Sequence, residues 1–164
     1  MKTLFPLVTT DIALFTLMDF QLRVLLVKRG NDPSPGAWAL PGGILQPDLD
    51  RSLEDSARRV LAQKVNVEIP HLAQVATVSG PDRDPRGWSI STLYYALLPS
   101  DQADATIGDA VDEVAWSDPE NHPHLLAFDH ALLLQMALST LRWKVAHGAL
   151  PLHQLPAKFS LTDR

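Results

Sequence analysis

A single α/β sandwich is the fold this sequence predicts, and three observations predict it. Five stretches are rich in the branched aliphatic and aromatic residues of strands, two segments repeat their apolar residues at helical spacing, and the connections between them are dense in Pro and Gly. Strands interleaved with helices bury their apolar faces most simply as one sheet between helical layers. The length, 164 residues, suits one domain with a sizeable core.

The elements follow in chain order. Asp11 to Leu17 and Gln21 to Arg29 are apolar and flank Met18-Asp19-Phe20, which predicts a hairpin. The turn-rich run Gly30-Asn31-Asp32-Pro33-Ser34-Pro35-Gly36 comes next, and Trp38-Ala39-Leu40-Pro41-Gly42-Gly43 returns the chain to an apolar segment through a bend. From Leu53 the positions Leu53, Ala57, Val60 and Leu61 recur at helical spacing; Ser52 is placed as the N-cap and Asp55 at the capping-box position, and the helix is expected to end near Lys64. Leu72 to Ser79 and Trp88 to Leu98 are strand-like and are separated by the polar loop Pro81 to Gly87. A short strand is expected at Val114-Ala115-Trp116. The longest helix is expected over Asp129 to His147, with Leu132, Leu133, Met136, Leu141 and Val145 on its apolar face and Gly148 and Pro151 as stops.

Composition narrows the function classes. With 19 acidic against 14 basic side chains the net charge is −5, and no basic stripe offers a footprint for a phosphate backbone, so nucleic acid is not an expected partner of this domain. Thr9, Thr10 and Asp11 interrupt the apolar start before it reaches signal-peptide length, and no stretch approaches membrane-spanning length. The sequence has no cysteine, which removes thiolate metal sites and a cysteine nucleophile. The plain expectation is a cytoplasmic protein without membrane contact.

The run Pro35-Gly36-Ala37-Trp38-Ala39-Leu40-Pro41-Gly42-Gly43, followed by a helix that contains Arg59, resembles the Nudix box, G-x5-E-x7-R-E-U-x-E-E-x-G-U with U aliphatic. The resemblance implies the Nudix fold, an α/β/α sandwich with a mixed sheet. With Arg59 on the family's arginine, Leu61 and Val67 keep the aliphatic positions. Val60 replaces the first helical glutamate, Gln63 and Lys64 replace the Glu-Glu pair, and Asn66 replaces the glycine. Two extra residues separate Gly43 from Arg59, which puts Arg51 at the earlier glutamate position. In that family the carboxylates hold Mg²⁺ or Mn²⁺, hard cations that want several oxygen ligands. Positions 60, 63 and 64 share one helical face, but here they present methyl groups, an amide and an ammonium that repels a cation. No catalytic residue and no metal site is therefore expected. The nearby acids Asp48, Asp50, Glu54 and Asp55 are explained as favourable charge at a helix N-terminus.

A second resemblance covers most of the chain. Val27-Lys28-Arg29-Gly30-Asn31-Asp32-Pro33, the loop Gly80-Pro81-Asp82-Arg83-Asp84-Pro85-Arg86-Gly87, and Leu126-Ala127-Phe128-Asp129-His130 resemble the Nudix-related transcriptional regulators of NAD metabolism. These join a ligand-sensing Nudix half, often with a decayed box, to a winged-helix half, and sense ADP-ribose or related nucleotides as dimers. The resemblance implies a Nudix-like domain over residues 1–150, and a tail over 151–164 like the segment leading into a winged helix. It also implies a homodimer, an ADP-ribose-like ligand, and DNA contact only through a winged-helix domain missing from this sequence. The alternative is an active pyrophosphatase cleaving ADP-ribose to AMP and ribose 5-phosphate, with Mg²⁺ or Mn²⁺ on a rearranged site built from Glu54, Asp55 or Glu113.

The candidate ligand contacts are Arg29, Gly42, Gly43, Arg59, Arg83, Arg86 and Gly87. Gly42 and Gly43 either let backbone amides approach a pyrophosphate or make a tight bend. Arg83 and Arg86, on a loop stiffened by Pro81 and Pro85, either pair with phosphate and ribose oxygens or form salt bridges within the loop. Arg59 either contacts ligand or braces the loop. Trp38 either stacks on a base or packs in the core, while Asp129 and His130 stand as a helix cap and its neighbour. One histidine without a nucleophile makes no catalytic constellation.

Overall fold

A computed structural model describes residues 5–148, so the boundary expected at residue 150 and the tail over 151–164 lie outside the described residues. Among the described residues seven strands and two α-helices form the sandwich. The strands are β1 (Leu7–Met18), β2 (Gln21–Arg29), β3 (Trp38–Ala39), β4 (Gly42–Ile44), β5 (Ala73–Gly80), β6 (Ser89–Leu98) and β7 (Val111–Ser117); the helices are α1 (Leu53–Val65) and α2 (His130–Ala146).

The long strand β1 organises the sheet. It runs parallel to β6 from Leu7 to Thr16, and antiparallel to β2 only from Phe15 to Met18, where Asp19 and Phe20 make the turn with positive φ. Beyond that short pairing β1 and β2 diverge, and the chain from Trp38 to Ile44 fills the gap: β3 pairs with β2 and β4 pairs with β1. This wedge was expected as one apolar segment; two short strands separated by Leu40 and Pro41 carry it. β7 covers the other edge of β2 over a longer span than the three residues predicted, and β5 closes the far side against β6.

Alternation along β1 divides the core in two. Ile12 and Leu14 face α1 and pack with Ala57, Val60, Leu61 and Val65, whereas Ala13 and Phe15 face α2 and pack with Leu133, Leu134, Ala137, Leu138 and Leu141. The apolar face assigned to α2 needs correction: Leu132 is exposed, and the buried stripe runs through Leu134, Ala137 and Leu138, which the sequence reading left out. A helix with apolar residues all round gives a weak periodic signal, so the sheet decides which side is buried.

The ends of α1 are tightly determined. The Ser52 hydroxyl accepts the Asp55 amide at 3.0 Å, the N-cap as predicted, while the Asp55 carboxylate accepts the Arg51 amide at 3.3 Å, one residue before the one a capping box would return to. Asn66 takes the left-handed conformation (φ 57°) in place of the family's glycine, which its short polar side chain tolerates. The otherwise orphaned carbonyls of Gln63, Lys64 and Val65 accept the amides of Asp109, Gly108 and Thr106. Removing the N-terminal cap tests this account: Ser52→Ala is expected to lower unfolding free energy by about 1 kcal/mol, read as a shifted urea midpoint at unchanged slope.

Candidate functional site

The wedge, α1, the β5–β6 loop and the start of α2 surround one cavity of about 270 Å³. Its wall includes Arg29, Gly42, Gly43, Arg59, Arg83 and Arg86 of the predicted contacts; Gly87 stays out of it and instead donates its amide to the Asp84 carbonyl in the loop turn, with φ 129°.

The glycines answer to close packing. A Cβ on Gly42 would lie 2.1 Å from Asp11 Oδ1 and 2.9 Å from the Thr10 carbonyl oxygen, and one on Gly43 would lie 2.8 Å from Val60 Cγ2. Only a chain without side chains fits between β1 and α1 here. The space beside Gly42 belongs to Asp11, a carboxylate of β1 that is 5% exposed and that sequence reasoning missed. Ser91 donates to its Oδ2, and His130 Nε2 stands 3.4 Å from its Oδ1. The Leu40 amide donates to His130 Nδ1 at 3.0 Å, so the ring proton sits on Nε2, directed at Asp11. Burial opposes ionisation of Asp11, but His130, Ser91 and the charge of Arg83 outweigh it and hold its pKa below the usual carboxylate range. His130 thereby clamps the head of α2 to the wedge.

Three of the arginines are neutralised by carboxylates. Arg59 is bidentate on Asp50, at 2.7 and 2.9 Å, and also donates to the Ile44 carbonyl at 3.0 Å and to Gln63 at 3.1 Å. It braces the loop between β4 and α1. Asp50, with its side chain 1% exposed, is thus the counterion of Arg59 rather than a charge at the helix end, and of the acids near α1 only Glu54 and Asp55 stand in its first turn. Arg83 is bidentate on Asp129 and donates to Ser89 Oγ, which ties the β5–β6 loop to α2; the Asp129 carboxylate makes no helix-capping bond. Arg86 is bidentate on Asp84, at 3.0 and 2.8 Å, an ion pair within the loop. Burial opposes ionisation of Asp84 too, and the bonds from Arg86 overcome it, so its pKa is lowered.

Two cations on the wall are bonded differently. Arg29 donates from Nε to the Pro33 carbonyl at 2.7 Å and lies 5.0 Å from the centre of the Phe128 ring. Lys64 Nζ donates to the Gly42 carbonyl. Burial lowers the pKa of both, and the neighbouring guanidinium groups lower it further: Arg86 acts on Arg29, and Arg29 on Lys64. Trp38 stacks on His124 at 4.1 Å and is not part of the cavity wall.

A NUDIX domain model matches residues 9–136. The chain belongs to the NUDIX domain family. It is similar to the ADPR responsive transcriptional repressor NtrR of Acinetobacter baylyi, 40% identical over 159 residues, which cover 96% of this chain and 63% of the repressor. The chain thus spans less than two thirds of that relative's length. It is similar to the ADP-ribose pyrophosphatase of Methanocaldococcus jannaschii, 34% identical over 74% of this chain and 68% of that protein. Among solved structures, the NUDIX domain of Shewanella oneidensis NrtR complexed with ADP ribose aligns with a TM-score of 0.77 and 39% identity, over 85% of this chain and 90% of that one.

A NUDIX metal does not fit the residues present. The face of α1 that turns to the cavity offers Val60, Gln63 and Lys64; Val60 is 1% exposed and part of the core. No group of three or more His, Asp or Glu side chains with metal-binding geometry occurs among the described residues. Glu54 pairs with Arg58, Asp55 caps α1, and Glu113 pairs with Lys28, and none of the three lines the cavity.

Asp50 makes the loop brace measurable. Its hydrogen bonds from Arg59, aided by the Gln46 amide, outweigh burial and lower its pKa from 3.8 to about 2. A carboxylate with a depressed folded-state pKa lends stability that is complete above its unfolded value and is lost as pH falls through the folded one. Urea unfolding is therefore expected to show stability declining between pH 4 and pH 2. In Asp50→Asn this decline should be shallower, and stability at pH 7 should drop by roughly 2 kcal/mol, because the half-buried Arg59 loses its counterion and keeps only neutral partners such as the Ile44 carbonyl and Gln63.

Proposed function

We propose that this chain binds ADP-ribose, or a closely related NAD-derived nucleotide, as a regulatory ligand and does not hydrolyse it. The observation that carries the proposal is the charge arrangement of the cavity. Its wall carries Arg29 and Lys64 with no carboxylate partner among the described residues, beside three arginines held by Asp50, Asp129 and Asp84, while the helical face that would have to hold metal carries none of the necessary carboxylates. Such a site attracts a diphosphate and lacks the means to activate water against it.

Within this reading Arg29 reaches the diphosphate, Arg59, Arg83 and the Asp84-bound Arg86 hold the walls, and the backbone at Gly42 and Gly43 forms the floor. Likeness to a repressor named for its response to ADPR, and to a NUDIX domain solved with ADP ribose, supports the choice of nucleotide. We further propose a homodimer located in the cytoplasm; among the described residues no helix is long and apolar enough to cross a membrane. Any reading of DNA is assigned to a winged-helix unit and not to the NUDIX domain.

Likeness to an ADP-ribose pyrophosphatase favours a second reading, metal-dependent hydrolysis of the same nucleotide. The two separate on metal dependence. Calorimetry is expected to show ADP-ribose binding of equal affinity in EDTA and in Mg²⁺, with no AMP released in excess Mn²⁺. Arg29→Ala should weaken binding tenfold or more, the scale of one charge-assisted contact. AMP release at ordinary enzyme rates would establish the hydrolase instead.

A further inference from the structure

The cavity's cations divide into two classes. Arg59, Arg83 and Arg86 each have a carboxylate at bidentate distance in Asp50, Asp129 and Asp84. Arg29 and Lys64 have no carboxylate within 4 Å among the described residues; each is hydrogen-bonded to a single backbone carbonyl, that of Pro33 or that of Gly42. Of the acids, Asp84 acts most strongly on Arg29, but both of its oxygens are taken by Arg86; Asp11 acts on Arg29 more weakly and on Lys64, and its oxygens are engaged by Ser91 and His130. Asp32 also lines the cavity, but it is exposed at the rim.

Cations partly withdrawn from water without a counterion are costly unless an anion joins them. Lys64 is held in place for one. It rises from the last turn of α1, and the Gly42 carbonyl fixes its ammonium against the glycine wedge, within 3.8 Å of the position a Cβ on Gly43 would take. The ammonium has three donors, and the Gly42 carbonyl takes one. Lys64 is also the residue that replaces a metal-binding glutamate in the NUDIX pattern, so a negative ligand of the metal has become a positive group on the same helical face.

We propose that Lys64, with Arg29, supplies in its own side chain the positive charge that a divalent cation supplies elsewhere in the family, and so binds the diphosphate of the ligand without metal. This rests on the reading of the cavity as a diphosphate-binding site. It makes Lys64 a ligand-binding residue: beside Val60 and Gln63, which only remove carboxylates, this one replacement also puts back a positive charge facing the phosphate. A fixed ammonium binds phosphate oxygens but does not lower the pKa of a water as a divalent metal does, so the same exchange separates binding from hydrolysis.

Inorganic pyrophosphate and ADP-ribose, each titrated by calorimetry in EDTA and then in Mg²⁺, test the assignment in the wild type, Lys64→Met and Lys64→Arg. Circular dichroism and a thermal melt establish that each variant is folded. The wild type should bind both probes equally well with and without metal. Lys64→Met should lose at least tenfold affinity for both, and Lys64→Arg should stay within about threefold of wild type because the charge is kept. Wild-type binding that vanishes in EDTA overturns the proposal without needing any variant. Lys64→Met that binds like wild type overturns it and leaves the ADP-ribose reading standing. Lysine-dependent binding of pyrophosphate without binding of ADP-ribose upholds the role of Lys64 and removes that nucleotide. A wild type that binds neither probe overturns both.

Discussion

The site depends on how closely β4 lies between β1 and α1. Gly42 and Gly43 leave no room for a Cβ on either side, with Asp11 pressed against one and Val60 against the other. That packing sets the floor of the cavity and aims the Gly42 carbonyl at Lys64. It also seats Asp11 where Ser91 and His130 can hold it, and through His130 it registers the start of α2 against the wedge. A side chain at either glycine would move the floor, and with it the cations that face the ligand.

Around this floor the charges are ordered by role. Arg59 with Asp50 fixes the loop before α1, Arg83 with Asp129 fixes the β5–β6 loop to α2, and Arg86 with Asp84 stiffens that loop internally. Each pair joins or stiffens segments separate from the central sheet, and fixed walls reduce the ordering that ligand binding requires. Arg29 and Lys64 are left on the cavity wall with no carboxylate partner among the described residues, and in the proposal they carry the attraction for an anion. On the proposal made above, Lys64 at a former acid position and Arg29 beside it keep the attraction for a diphosphate where the carboxylates for a metal are gone.

Much of this was legible in the sequence. The hairpin, the cap of α1 at Ser52 and Asp55, and the two long strands β5 and β6 followed from local pattern, because caps, turns and alternation are short-range signals. The arginines could be named as site residues but not sorted: Asp129 lies 46 positions from Arg83, so only the fold reveals that this guanidinium is already paired. Asp11 was hidden for a similar reason, as one acid in an apolar strand with partners 80 and 119 positions away. Lys64 was read as a group that repels metal. Its second consequence needed the carbonyl of Gly42 and the unmatched Arg29 beside it. Leu134, Ala137 and Leu138 were missed because α2 is apolar nearly all round.

The central claim is that a lysine stands in for the metal. A crystal structure of the chain with ADP-ribose, grown in Mn²⁺ and measured at the manganese absorption edge, tests it most directly. The account predicts phosphate oxygens within hydrogen-bonding distance of Lys64 Nζ and no anomalous peak between the ligand and α1. A manganese ion bridging the diphosphate to side chains of that helix would contradict it.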